Sequence, residues 1–292
     1  MDIADQLVHM FCQIDDFCKE IDQYAQQGLL EGPNIKRRGP NQSLSLSEIM
    51  TILIMFHHIR FRDFKTYYIA YVKRHWQREF LDLPSYSRFI SIIKQAIFPM
   101  TLFTCIHSGK RTGIYYIDSS CLPVCHIKRS KRHRTFTDIA KYGRTSVAWF
   151  FGLKLHIVIN DRGELIAFKV TQGHRHDGQE AASLLKTLEG LAFGDKGYIG
   201  KKLFDALMDG GLKLITRKRK NMKTDPLSDY EQQLLNQRGI VETVIGHLKH
   251  HYQIWHTRHR STLNAMTHLI TALAAYAVTP LKISAIRLLA AA

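Results

Sequence analysis

The chain has 292 residues, enough for one large core or for a small domain followed by a larger one. Its 45% hydrophobic and 23% charged content exclude a disordered polyelectrolyte, and five cysteines, an odd number, fit no dense disulfide frame and favour a reducing compartment. With 41 Lys+Arg against 25 Asp+Glu, a formal net charge of +16 and a pI of about 9.7, the expected partner is a polyanion: nucleic acid first, an anionic membrane surface second.

The N-terminus, "MDIADQLVHMFCQIDD", is acidic and lacks the basic start and apolar core of a signal peptide. No run of 18 apolar residues appears, and "LITALAAYAV" (269–278) is too short to span a bilayer, so a cytoplasmic protein with no membrane partner is expected. Residues 1–32 hold seven acids and one base, Lys19, and Leu7, Met10, Ile14, Phe17, Ile21 and Tyr24 form an apolar stripe at helical spacing. That predicts a helix packed on its own domain, with a dimer seam as the alternative.

"EGPNIKRRGPNQS" (31–43) reads as a turn-rich connector. A helical tract over 45–76 follows, with Ser47 as its expected N-cap. "LDLPSYSRFISIIKQAI" (81–97) has the form of the second half of a helix-turn-helix, which puts Tyr86, Ser87 and Arg88 at the exposed N-terminal end of a helix and makes them candidates for reading DNA ends.

The texture changes at Gly113. "GIYYIDSS" and "FFGLKLHIVIN" read as strands, and "ELIAFKV" closes a hairpin with the second. "DGQEAASLLKTLEG" reads as a helix opened by a capping box of Asp177 and Glu180. A short buried strand "LAF", a helix over 199–210, a strand "LKLIT" and one long helix over 227–255 complete the pattern. The order predicts an α/β domain with a mixed sheet, behind an all-helical N-terminal domain. The boundaries expected are 1–110 and 111–292.

Three acids sit where acids are costly. Asp118 ends the apolar run "IYYI", Asp195 ends "LAF" between two glycines, and Glu242 lies inside "GIVETVIGHL". Singly, each has an ordinary role: a turn cap, an Asx turn, and a helical pair with Arg238. Together, two strand-end aspartates and a helical glutamate suit Mg²⁺ or Mn²⁺, and two such ions about 3.5–4 Å apart support in-line phosphoryl displacement. Arg238, Glu242 and Lys249 share one helical face, which suits a grip on metal and phosphate.

"YYIDSS", "FGDKGYIG" and "QRGIVETVIGHLKHHYQIWHTRHRS" resemble, in order, the three catalytic blocks of bacterial insertion-sequence transposases of the DDE class. The resemblance implies a ribonuclease-H-like core in which Asp118, Asp195 and Glu242 bind two Mg²⁺ or Mn²⁺ ions and carry the catalysis, with Arg238 and Lys249 holding phosphate. "GRTSVAWFFGLKLHIVIN" and "KRSKRHRTF" extend the similarity over roughly residues 113–280. Many relatives carry a tyrosine three residues before the arginine of the last block; here that position is Leu235, and no role is assigned to it.

Further DNA contacts are expected from the runs holding Lys128, Arg129, Lys131 and Arg132, and Arg217, Lys218 and Arg219. Trp255, Arg258 and Arg260 are expected to clamp or stack on an end. Cys121, Cys125 and His126 lack a second pair at finger spacing, so zinc is not expected. "HRHDG" (174–178) is a further candidate for the site, although a capping Asp177 explains it as well.

The implied reaction is metal-dependent cleavage at the ends of an insertion element, then strand transfer into target DNA by a homodimer or larger synaptic complex acting on inverted repeats. The alternatives are a nuclease with the same metals and no strand transfer, and an inactive DNA-binding relative. The expected location is the bacterial cytoplasm, at the nucleoid.

Overall fold

The computed structural model describes residues 2–27, 43–217, 226–255, 259–280 and 282. The chain divides into two compact units: 1–106 with 251–253 and 262–275, and 107–250 with 254–261 and 276–292.

The first unit is helical. Its opening helix, Ile3–Gln26, starts at Asp2, whose carboxylate accepts from the Ala4 amide at 3.0 Å. The expected stripe points inward at Leu7, Met10, Ile14 and Phe17, whereas Tyr24 is exposed. This helix packs on Leu46–Ile59. The cap there is Ser45, not Ser47: Ser45 and Glu48 form a capping box, and the buried Ser47 hydroxyl instead donates to Asp15 at 2.8 Å. Nor does one helix run to Trp76. Arg60 takes the left-handed conformation at φ 64°, and the chain restarts at Asp63 and passes through a π-helical turn, Tyr67–Val72.

Ser85 caps Tyr86–Ile92, which continues through a 3₁₀ turn into Ile97–Ile106. By length and composition alone, 86–106 is long and apolar enough to cross a membrane. In this fold its Phe89, Ile93, Ala96, Met100 and Phe103 are buried, and the Phe103 ring meets Phe17 edge-on at 5.1 Å. Tyr86 is half-buried, while Ser87 and Arg88 are exposed.

The second unit is built on a six-stranded mixed sheet. Its strands are β1 (Ile114–Cys125), β2 (Lys141–Arg144), β3 (Trp149–Asn160), β4 (Leu165–Gln172), β5 (Gly190–Gly194) and β6 (Leu212–Thr216). β4 pairs antiparallel with β3 and β3 antiparallel with β1; β5 and β6 continue parallel to β1 on its other side. β2 extends the β3 edge beyond β4. This is the expected α/β class, a mixed sheet of ribonuclease-H-like form following a helical segment.

One face of the sheet, carrying Tyr115, Ile117, Ala192, Leu212 and Leu214, packs against the helices Asp177–Leu185 and Lys201–Asp209. The helix Gly239–His250 packs on β1 with Ile240, Val241, Val244, Ile245 and Leu248 buried. The single long helix expected over 227–255 is instead two, Asp229–Asn236 and Gly239–His250. They join at Gln237–Arg238, where the amides of Ile240 and Val241 reach back only three residues.

Candidate active site

Strand register brings the two aspartates together. β1 does not end at Asp118 but runs on to Cys125; what ends there is its pairing with β5, whose last pair is Tyr116 opposite Phe193. Asp118, on β1, and Asp195, one residue past the end of β5 in extended backbone, each lie two residues beyond that pair. Side chains alternate along a strand, so both project from the face of Tyr116 and Phe193, whose rings lie 5.5 Å apart. The Asp195 carboxylate caps a 3₁₀ turn, Lys196–Tyr198, accepting from the Gly197 amide at 2.5 Å. The ordinary Asx-turn role is therefore present and leaves the group exposed to solvent.

Asp118 is the inner member. Its carboxylate accepts from the Ser119 amide at 2.8 Å. Burial pushes its pKa up to about 7; the Ser119 amide and the Arg238 guanidinium pull down, while Asp195 and Glu242 push further up. Glu242, one turn into its helix, is exposed and accepts from Arg238 Nη2 at 2.5 Å. All three acids and Arg238 thus share one electrostatic neighbourhood. Lys249 is directed elsewhere: its ammonium sits 4.6 Å from the centroid of the Trp255 ring.

Hard oxygen donors on a strand, a turn and a helix suit Mg²⁺ or Mn²⁺ in kind, and a cation would offset the burial, and after it the repulsion from Asp195 and Glu242, that raise Asp118. The geometry is not that of a closed cage. Among the described residues no three acid, histidine or cysteine side chains stand close enough to ligate one ion. Glu242 would have to exchange its contact with Arg238 for one with metal.

On the other face of β1, a polar brace supports the aspartates. The Ser119 hydroxyl donates to Asp177 Oδ1 at 2.9 Å, and Lys154 on β3 donates to the same oxygen at 3.1 Å. His156 approaches that oxygen at 3.8 Å and bonds Thr171 through Nε2 at 2.9 Å; burial lowers its pKa. The Tyr198 hydroxyl is buried beside these acids, and burial raises its pKa, with Asp118, Asp177 and Asp195 adding to the shift.

Asp177 is not the helix cap. His176 takes that role, accepting from the Gly178 amide, and Glu180 pairs with Lys169 at 2.6 Å instead of closing a box. The signal for the brace lies in "FGLKLHIVIN": Lys154 and His156 are polar at period two within a buried strand, which places them on one face.

The expected DNA contacts are distributed. Lys128, Arg129, Lys131 and Arg132 are exposed on a 3₁₀ turn, Ile127–Arg132. Arg217 is exposed at the end of β6, and Arg260 is exposed as well. Lys218, Arg219 and Arg258 fall outside the described residues. A cavity of about 430 Å³ opens beside the Asp195 turn, lined among others by Lys196, Lys213, Arg217, Phe204 and Leu235; Lys213 is held by Glu231 at 2.5 Å.

Residues 108–262, just over half the chain and containing all three acids, match the family described as Transposase DDE domain. The chain belongs to that family. Among solved structures it is similar to a piggyBac transposase synaptic complex with hairpin DNA, at 15% identity and a TM-score of 0.36. That similarity covers 69% of this chain and 48% of the other, so the chain corresponds to about half of that protein. No curated protein matches it. Domains of that family generally work with divalent metal.

Proposed function

We propose that this transposase cleaves DNA phosphodiesters at the ends of an insertion element and joins the freed ends to target DNA, with Asp118, Asp195 and Glu242 as its catalytic and metal-binding residues. The observation that carries this reading is the placement of Asp118 and Asp195 side by side past the paired ends of β1 and β5, with Glu242 on the helix packed against that strand.

Asp118, Asp195 and Glu242 would hold Mg²⁺ or Mn²⁺, two ions per site, and the bound metal supplies an activated water or 3′-hydroxyl and charge stabilisation at the leaving oxygen. The residues themselves do the positioning. Burial and the Ser119 amide fix Asp118, and the Gly197 amide fixes one oxygen of Asp195 and leaves the group open to solvent. Arg238, whose guanidinium bonds Glu242, is the residue that would serve a phosphate oxygen beside the acids. Lys249 and Trp255 form a cation–aromatic pair suited to an unpaired nucleotide, and Lys128, Arg129, Lys131, Arg132, Arg217 and Arg260 serve the backbone. Lys218, Arg219 and Arg258 are assigned the same backbone role on sequence alone.

Tyr86, Ser87 and Arg88 at the head of their helix are assigned to reading the terminal inverted repeats, within a helical N-terminal domain ending near residue 110. A homodimer or larger synaptic assembly would present two ends, in the cytoplasm of a bacterium.

The test uses a labelled duplex carrying the element's end, a supercoiled target, and Mg²⁺ or Mn²⁺. The wild type is expected to nick the end and produce joined product, whereas Glu242→Ala binds the duplex and does neither. Nicking without joining would leave a nuclease, and binding without cleavage by the wild type would leave a DNA-binding relative.

A further inference from the structure

The most conspicuous surface outside the acidic site is the β2–β3 hairpin. Thr145–Ala148 form its tip, which is closed by hydrogen bonds of its own. The Thr145 amide donates to the Ala148 carbonyl at 2.9 Å, and the Ala148 and Val147 amides donate to the Thr145 hydroxyl at 3.0 and 3.3 Å. Its base is clamped too. A Cβ on Gly143 would lie 2.2 Å from the Gly173 carbonyl, so the backbones approach as only glycine allows.

On this scaffold, apolar groups face solvent. Val147 is 92% exposed and Trp149 58%. Register places Arg144 opposite Trp149 and Tyr142 opposite Phe151, so Tyr142, Arg144 and Trp149 share one face, with the Arg144 guanidinium 5.8 Å from the indole centroid. The Tyr142 hydroxyl bonds Ser130 at 2.7 Å and thereby ties the cationic 3₁₀ turn Ile127–Arg132 to the hairpin. Residues 126–149 hold seven Lys and Arg and a single acid, Asp138.

We infer that this hairpin inserts into a groove of duplex DNA, with Val147 as a wedge against the bases and Trp149 stacked on base or sugar. Lys141, Arg144 and the 127–132 turn hold the flanking phosphates. Charge complementarity decides the occupant: an apolar tip with cations along its own hairpin and on the adjoining turn fits a groove between two phosphate rails, whereas an apolar protein surface would leave those cations without partners. The hairpin also lies on the side of the sheet toward which β1 runs past Asp118. Register pairs Asp118 with Ile157, eight residues from Trp149, which sets Trp149 ~26 Å from Asp118 at ~3.3 Å per residue, with the tip just beyond it. At ~3.4 Å per base pair, a duplex held at both points meets Trp149 roughly eight base pairs from the phosphate at Asp118.

This inference rests on the DNA-directed function proposed for the chain, and the test separates the two. Binding of a short labelled duplex of arbitrary sequence is measured by anisotropy across a salt series for the wild type, Val147→Asp, Trp149→Ala, Lys141→Ala and Arg144→Ala. Trp149→Ala is expected to weaken binding roughly tenfold with an unchanged salt slope, because stacking releases no counterions. Val147→Asp, which sets a carboxylate between phosphates, is expected to weaken it at least as much. Each lysine or arginine change lowers the slope by about 1. All four side chains are exposed, so melting temperatures stay at the wild-type value. Wild-type affinity in both tip variants overturns the proposal, as does a loss of self-association in place of DNA binding, which would make the hairpin a contact between copies. If the tip variants lose binding but the wild type cuts no element end, the hairpin stands and the catalytic reading falls. If the wild type cuts the end and the tip variants bind as tightly as it does, the catalytic reading stands and the hairpin falls.

Discussion

Asp118 illustrates how one side chain can be costly to the fold and useful to the chemistry. Its pKa, pushed up to about 7 from an ordinary 3.8, means the folded state holds the proton more tightly than the unfolded chain. The sign follows: below about pH 4 the group is neutral in both states and costs nothing, stability falls as pH rises from 4 to 7, and the full penalty applies above 7. Asp118→Asn is therefore expected to raise the melting temperature of metal-free protein at pH 8, by the equivalent of about 1–4 kcal/mol, and to leave it unchanged near pH 4. Added Mg²⁺ should stabilise the wild type at pH 8 and not the variant. Equal melting curves for both proteins at pH 8 would show that the buried charge carries no such penalty. Asp177, which bonds Ser119 beside Asp118, is expected to act one step removed, as a positioning residue. Lys154→Met, which strips the charge from a pair that is mostly buried, is expected to cost about 1–3 kcal/mol of stability. In the same variant turnover should fall at unchanged DNA affinity, with a higher Mg²⁺ requirement. An unchanged Mg²⁺ dependence would reduce the Ser119–Asp177–Lys154 brace to a purely structural feature.

Among the elements, the turn after β5 carries the constraint that bears most directly on Asp195. A Cβ at Gly197 would sit 2.8 Å from Asp195 Oδ1, so Gly197→Ala is expected to displace that carboxylate and reduce cleavage at least tenfold while the protein stays folded. Wild-type rates in Gly197→Ala would show that Asp195 needs no fixed orientation. The strands are legible in the sequence because "FFGLKLHIVIN", "ELIAFKV" and "LKLIT" are short apolar runs bounded by turn residues. β1 is harder to delimit: past Asp118 the continuous apolar run gives way to Ser119 and Ser120 and to alternating buried and half-buried positions, and the pattern that marks a buried strand stops where its parallel partner stops. The helix split at Gln237–Arg238 and the Arg60 break are obscured by continuous helical periodicity, which says nothing of where a backbone turns to follow its neighbours. Ser45 displaces Ser47 as a cap because Glu48 stands three residues after it, a box that is present in the sequence.

At the scale of the whole molecule, and on the DNA-directed function proposed, the net charge of +16 is expected to set affinity and its salt dependence more than any one contact does. The three acids are readable because each interrupts an apolar run in a basic chain. The brace behind them is not, since Ser119, Lys154 and Asp177 meet only through sheet pairing and a crossover helix that spacing alone cannot fold. Whether Asp118, Asp195 and Glu242 form one metal-dependent phosphoryl-transfer site is decided by the rate of nicking of a labelled element-end duplex as Mn²⁺ is raised, for the wild type and for alanine at each acid in turn. Cleavage is expected from the wild type only, with DNA affinity retained in all three variants; metal-dependent nicking at the wild-type rate by any one of them would contradict a shared site.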